Sequence, residues 1–243
     1  MMTQGLLASF TSVASPITWL IAYWKFANGA DTTEYTGTYN LTKTGTPTIG
    51  TDRLWNTAWF SAFTTSDYFS HATFLDAWLT AWTFFVWFKA TGTTRQFMIS
   101  KGSHTYMYPF ELVTDTAGKL ALYIDSDETP WLHIYTSTTS VNTWNWVFAI
   151  MSWDSSSSSS LSMNINWGSA EWTLAGNGSS WGSIWTSTAY DFYIWNRWDI
   201  SEAYINWSIW ECWFCNRVLT SAEKQRLYDE SSAQYIVPNI LTT

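Results

Sequence analysis

The sequence predicts an all-β protein: antiparallel strands in a sandwich or barrel, with one short helix near the C-terminus. Three observations carry this. Apolar residues alternate with polar ones at period two in several segments. Clusters of Ser, Thr, Asn, Gly and Asp recur at short spacing, at 28–38, 64–67, 91–95, 126–130, 154–160 and 176–183. Only one stretch carries a helix-start signal.

Taken in chain order, the first clear strand is 83–88 (TFFVWF), apolar on both faces and so a central strand covered on both sides. In 105–112, Tyr106, Tyr108, Phe110 and Leu112 share a face, and Pro109 predicts an edge or a bulge. In 119–125, Leu120, Leu122 and Ile124 share a face. The segment 144–151 (WNWVFAIM) is again apolar on both faces. In 160–166, Leu161, Met163 and Ile165 alternate with Ser and Asn, which predicts one wet face. The serine run 155–160 reads as a hairpin loop after Trp153-Asp154. Thr220 to Glu223 has capping-box spacing and starts a helix over 221–230. Leu227 and Tyr228 face its core side, with Lys224 and Arg226 outside. The expected core comprises Trp24, Phe84, Val86, Phe88, Leu120, Leu122, Ile124, Trp144, Val147, Phe148, Leu161, Met163, Ile165, Tyr193 and Leu227.

Composition narrows the function. The chain has 243 residues, 47% hydrophobic and only 12% charged, with a net charge of −8. An acidic, charge-poor chain lacks the basic footprint that nucleic acids or anionic membranes require. No apolar run approaches the roughly 20 residues of a membrane span. Met1 to Pro16 shows no basic and then apolar leader pattern, so no signal peptide is expected.

The chain resembles the laminin-G-like, concanavalin A-like jelly-roll family. The matching segments are LIAYWKF at 20–26, TFFVWFKA at 83–90, FMISKG at 97–102, GKLALYI at 118–124, VNTWNWVFAIMSWD at 141–154 and SLSMNIN at 160–166. DFYIWNR at 191–197 and YINWSIWECWFCNRVLTSAEKQRLYDE at 204–230 complete it. Asn216, Arg217, Leu219, Thr220 and Glu223 match the family's closing strand-to-helix step. The resemblance implies a two-sheet antiparallel jelly-roll sandwich over 18–236, flanked by tails at 1–17 and 237–243. About twelve to fourteen strands and a helix capping one edge are expected. It also implies a recognition domain for a glycan or a surface protein, on a cell surface or a virion. A structural decoration or fibre-tip protein, self-associating as a homo-oligomer, is the alternative reading, and a glycan hydrolase a distant third.

Catalysis is not expected. Glycan hydrolysis needs two carboxylates across the scissile bond, and the Glu-x-Asp-x-x-Glu spacing of hydrolases with this fold is absent. His71, His104 and His133 lack zinc-ligand spacing. Asp125, Asp127 and Glu128 are the nearest set for calcium, which takes several oxygen ligands. The family's acidic pair in the last strand is here Trp210-Glu211, which weakens that assignment. Cys212 and Cys215, three apart in a strand, point to opposite faces and predict no disulfide. Ligand-binding candidates are Tyr106, Tyr108, Trp131 and Trp153 for stacking on sugar rings. Asp125, Asp127 and Asp154, with Asn177 and Asn196 in further loops, would bond hydroxyls.

One inversion stands out: 20 Trp against 12 Gly. Trp24, Trp87 and Trp144 occupy family Trp positions and Trp153 an aromatic one. Trp55, Trp167, Trp195 and Trp207 stand where the family has turn glycines, and Trp19, Trp78, Trp82, Trp172, Trp181 and Trp210 also look out of place. The expectation is that UGA codons meaning glycine were translated as tryptophan; a genuine Trp-rich surface that stacks on sugars is the alternative. Trp55, Trp167, Trp195 and Trp207 should then lie in exposed turns, several with positive φ.

Overall fold

The computed structural model describes residues 19–26, 32–51, 57–62, 67–76, 79–92, 95–103, 107–125, 132–156, 161–169, 173–176, 190–194 and 207–233. These form fifteen strands and one helix. The strands are β1 (Leu20–Trp24), β2 (Thr42–Thr44), β3 (Thr48–Thr51), β4 (Thr57–Ala62), β5 (Tyr68–His71), β6 (Ala81–Ala90), β7 (Gln96–Ser103) and β8 (Met107–Thr114). They continue with β9 (Lys119–Asp125), β10 (Leu132–Ser140), β11 (Val147–Asp154), β12 (Ser162–Ile165), β13 (Thr173–Gly176), β14 (Phe192–Ile194) and β15 (Trp207–Cys215), followed by α1 (Ser221–Ala233). One sheet runs β12-β11-β6-β15-β4-β3, with β1 also on β15; the other runs β13-β10-β9-β8-β7-β14-β5-β2. Every pairing is antiparallel. This is the all-β jelly-roll sandwich expected, with slightly more strands, because the short β2, β3 and β13 carry no apolar alternation.

The sheets close on a core of alternating side chains. Leu120, Leu122 and Ile124 from β9, Phe110 and Leu112 from β8, Met163 and Ile165 from β12, and Phe84, Val86 and Phe88 from β6 share one cluster. Aromatic rings knit it: Phe84 and Phe214 lie 4.5 Å apart and Trp24 meets Phe74 edge-on at 5.0 Å. Pro109 falls at a bulge in the β7–β8 ladder, where the register shifts between Lys101 and Ser103. A proline that donates no ladder bond is tolerated there.

The seven-stranded sheet is apolar on its outer face too, and α1 explains why. Tyr23, Phe85, Trp87, Phe148, Ile150, Trp210 and Trp213 form a second cluster with Leu219 and Leu227. The helix therefore lies over the sheet face rather than capping an edge. Tyr228 sits 5.3 Å from Phe148, and Trp87 Nε1 donates to Ser231 Oγ at 2.8 Å. Lys224 is not an outer-face residue: it is buried and its ammonium donates to Ser152 and, at 3.2 Å, to Ser162. Burial lowers its pKa to about 8.

Two expected core residues are corrected. Tyr193 is half-buried because Phe192 and Ile194 take the inward positions of β14. Trp144 is 72% exposed, with φ +63, in the turn before β11. The apolar run that suggested a strand from 144 begins only at Val147. Cys212 and Cys215 are free, buried and in different clusters, one on each face of β15. Burial pushes both thiols up.

Candidate functional site

Strand registers define two ends of the sandwich. Asp154 pairs with Ala81 and Cys215 with Thr83, while Lys101 and His71 both pair with Phe192. The stretch 72–80 carries the chain from His71 at the end of β5 across to Ala81 at the start of β6, and Ser155 N donates to Thr80 O at 2.8 Å. This near end also receives Ser103 and Met107, which pair across the β7–β8 connection, and Asp125 and Leu132, which pair across the β9–β10 connection. The described strand ends that flank the predicted loops at 104–108, 125–131 and 153–160 thus lie at one end. Of their residues, Tyr106, Asp127, Glu128 and Trp131 lie outside the described residues, as do Asn177 and Asn196. Tyr108 lies in β8, and Asp125 closes β9. Asp154 is half-buried, and its Oδ1 accepts from Ser156 N at 2.9 Å. Trp153 cannot serve a ligand. It is 1% exposed and sits 6.4 Å from Trp82 in the core, because Asp154 takes the outward position.

A pocket of about 370 Å³ opens at this same end, lined by Ile21, Tyr39, Thr73, Leu75, Asp76, Leu79 and Asn216. Its wall is built by an unusual turn. His71 Nδ1 accepts the backbone N–H groups of Thr73 and Phe74, both at 3.1 Å. Leu75 is left-handed, with φ +62, and Asp76 N returns to Thr73 O at 3.3 Å. A non-glycine residue in that region is strained and persists only where packing over-determines it; Leu75, 9% exposed, is held by the core. The turn places Asp76 against Lys101, whose ammonium lies 2.6 Å from Asp76 Oδ1 and 3.1 Å from Tyr190 O.

Lys101 is fully buried, and desolvation lowers its pKa against the opposing hydrogen bond from Asp76. His71 is also lowered, first by burial and then by the Lys101 charge. Its Nδ1 must be unprotonated to accept two N–H groups, which agrees in sign. The pocket thus offers an aromatic side chain from Tyr39, a carboxylate anchored by a buried cation, the Thr73 hydroxyl and the exposed Asn216 amide. Apolar lining with a few convergent polar groups is the usual make-up of a small-ligand site. Sequence reading missed it because its residues come from four separate segments. The signal that was present is a histidine two to three residues ahead of the N–H groups it caps.

A smaller cleft of about 230 Å³ is lined by Tyr23, Lys25, Thr33, Glu34 and Tyr35. Glu34 there is committed to structure: it accepts Tyr23 N and Thr36 N, each at 2.9 Å. Among the described residues no group of His, Cys, Asp or Glu is placed to hold a metal ion, and no helix is long and apolar enough to cross a membrane.

No protein-family profile matches the chain, and no curated protein matches it by sequence. Solved structures do match in fold. Domain 4 of AbnA, an extracellular arabinanase from Geobacillus stearothermophilus solved with arabinotriose, aligns with a TM-score of 0.57 at 16% identity, over 84% of this chain and 96% of that one. The receptor-binding domain of botulinum neurotoxin mosaic serotype C/D aligns at 0.62 and 10% identity, over 88% of this chain. A Trypanosoma rangeli sialidase, solved with sialic acid, aligns at 0.57 and 12% identity, over 90% of this chain. The chain spans 51% of the toxin domain and 34% of the sialidase. These likenesses establish the β-sandwich fold.

Proposed function

We propose that the protein is a non-catalytic recognition domain of the laminin-G-like, concanavalin A-like kind, binding a glycan through the near end of the sandwich, on a cell surface or a virion. The observation that carries this is the pocket in which Tyr39, Asp76, Thr73 and Asn216 converge. A sugar presents C–H faces to an aromatic ring and hydroxyls to carboxylate and amide groups, which is the chemistry these side chains supply. The fold neighbours solved with arabinotriose or sialic acid support a carbohydrate ligand. Tyr108, Asp125 and Asp154 near the strand ends, with Tyr106, Asp127 and Trp131 in the connections, would extend the site, and calcium held by Asp125, Asp127 and Glu128 would order one connection.

The test is a glycan array probed with the wild type and with Asn216→Ala. Asn216 is exposed, so its removal leaves the core intact. Binding to at least one glycan class, weakened about tenfold by the substitution, is expected for loss of one ligand hydrogen bond. Absence of binding to every glycan, or binding that Asn216→Ala leaves unchanged, overturns the reading.

A further inference from the structure

We propose that the native residue at positions 144 and 167 is glycine. The gene would carry UGA at both codons, its source would read UGA as glycine, and the tryptophans would be products of a code that reads UGA as tryptophan. The inference is independent of the ligand-binding reading, because both positions lie at the far end of the sandwich. Ile165, two residues before Trp167, pairs with Ala149 near the start of β11, and Trp144 N donates to Ala90 O at the end of β6.

The backbone at 166–167 carries the argument. Asn166 has φ +47 and Trp167 φ +57, and Gly168 N closes the turn onto Ile165 O at 2.8 Å. Two left-handed central residues are the φ signature of a type I′ turn, whose preferred sequence is Asn-Gly. Asn166 fills its half of that pair and is tied across to β11, its N donating to Phe148 O at 2.8 Å and its Oδ1 accepting Phe148 N at 2.9 Å. The second position holds the bulkiest side chain where the turn asks for none; contrary to the expected exposure, Trp167 is half-buried, with its ring stacked 6.5 Å from Tyr228 beside the helix.

Trp144, which the family resemblance placed at a tryptophan position of the core, repeats the anomaly instead, with φ +63 in an exposed turn. Leu75 and Phe26 are also left-handed, at +62 and +50, but both are buried and locked by the core. Trp144 is 72% exposed, so no packing offsets its backbone strain. A true glycine shows what such a site needs. Gly118, at φ +73 in the β8–β9 turn of the same end, would bring a Cβ to 2.8 Å from Asn142 and Ser140. The composition agrees in direction, with 20 Trp and 12 Gly in a turn-rich chain.

Not every tryptophan occupies a glycine-like site. Trp82 and Trp210 are fully buried in the core. Trp207 opens β15 opposite Ala90 without a positive φ, contrary to the expected turn. Trp55, Trp78, Trp172, Trp181 and Trp195 lie outside the described residues. Trp24, with Nε1 donating to Tyr39 O at 2.9 Å in the core, is a genuine tryptophan.

Codon sequence tests this first. UGA is expected at 144 and 167 and UGG at 24. UGG at 144 or 167, or UGA at 24, overturns the proposal. Peptide masses from the native source must then show glycine at both positions; tryptophan there contradicts it. Trp144→Gly made in the present chain should raise the thermal midpoint by roughly 2–8 °C, as relief of a strained left-handed residue would. A lowered midpoint counts against a glycine site.

Discussion

At His71, protonation and backbone geometry are tied together. Nδ1 accepts the Thr73 and Phe74 N–H groups, so an imidazolium at this position strands two donors and meets the Lys101 charge. The folded pKa is therefore below the ordinary 6.5. The sign follows: the turn's contribution to stability is fully present above about pH 6.5 and is lost as the pH falls through the depressed folded value. An NMR titration of the imidazole should give a midpoint below 6.5, with Thr73 and Phe74 amide signals shifting in the same transition. A midpoint above 6.5 contradicts the assigned hydrogen bonds. Asp76 has a different dependence. Removing its carboxylate leaves Lys101 buried without its partner, a loss on the order of 3–5 kcal/mol, so binding variants are better made at Asn216. Neither relation was readable from the sequence: His71, Asp76 and Lys101 meet only because β14 sets β5 beside β7.

The C-terminal helix shows what is local in this fold and what is not. Its start was readable. Thr220 Oγ1 accepts Glu223 N at 3.3 Å, and Glu223 accepts Thr220 N at 2.8 Å, closing the capping box. Arg217 adds two bonds to the Glu223 carboxylate, at 2.9 and 2.5 Å, which hold its pKa down to about 2. Stability from Glu223 is present above about pH 4.5 and is lost as the pH falls through about 2. Glu223→Ala should cost about 0.5–2 kcal/mol at neutral pH, in the range of other caps, with solvent screening limiting the ion pair. No loss in a urea titration would show that the cap is not formed. Where the helix docks was not readable, because only Leu227 and Tyr228 mark an apolar side and the receiving face is the back of a sheet. Leu227 is fully buried there, and Leu227→Ala should cost about 2–5 kcal/mol. A loss below about 1 kcal/mol would place the helix elsewhere. The same docking explains Lys224, whose stem runs down to Ser152 and Ser162 at the sheet edge.

Across the whole molecule, the parts written in a local period were readable and the parts made by convergence were not. Alternation at 119–125 and 160–166 marked the inner faces of β9 and β12 correctly, because period two is a property of one strand. Trp144 misled because an apolar residue next to a strand looks like part of it, while its backbone sign is invisible in sequence. The pocket at the near end was not readable, since Tyr39, Thr73, Asp76 and Asn216 share no motif. The outer face of the eight-stranded sheet offers the competing location. There Arg95 lies over Phe97 and Tyr123, at 5.0 and 4.8 Å from their ring centres, beside Val113 and Ala121. Backbone amide shifts, followed while arabinotriose and sialic acid are each titrated to millimolar concentration, separate the two most directly. Shifts confined to Tyr39, residues 71–79 and Asn216 for at least one of these sugars are the result expected; shifts centred on Phe97, Val113 and Tyr123, or none with either sugar, would contradict recognition through the near end.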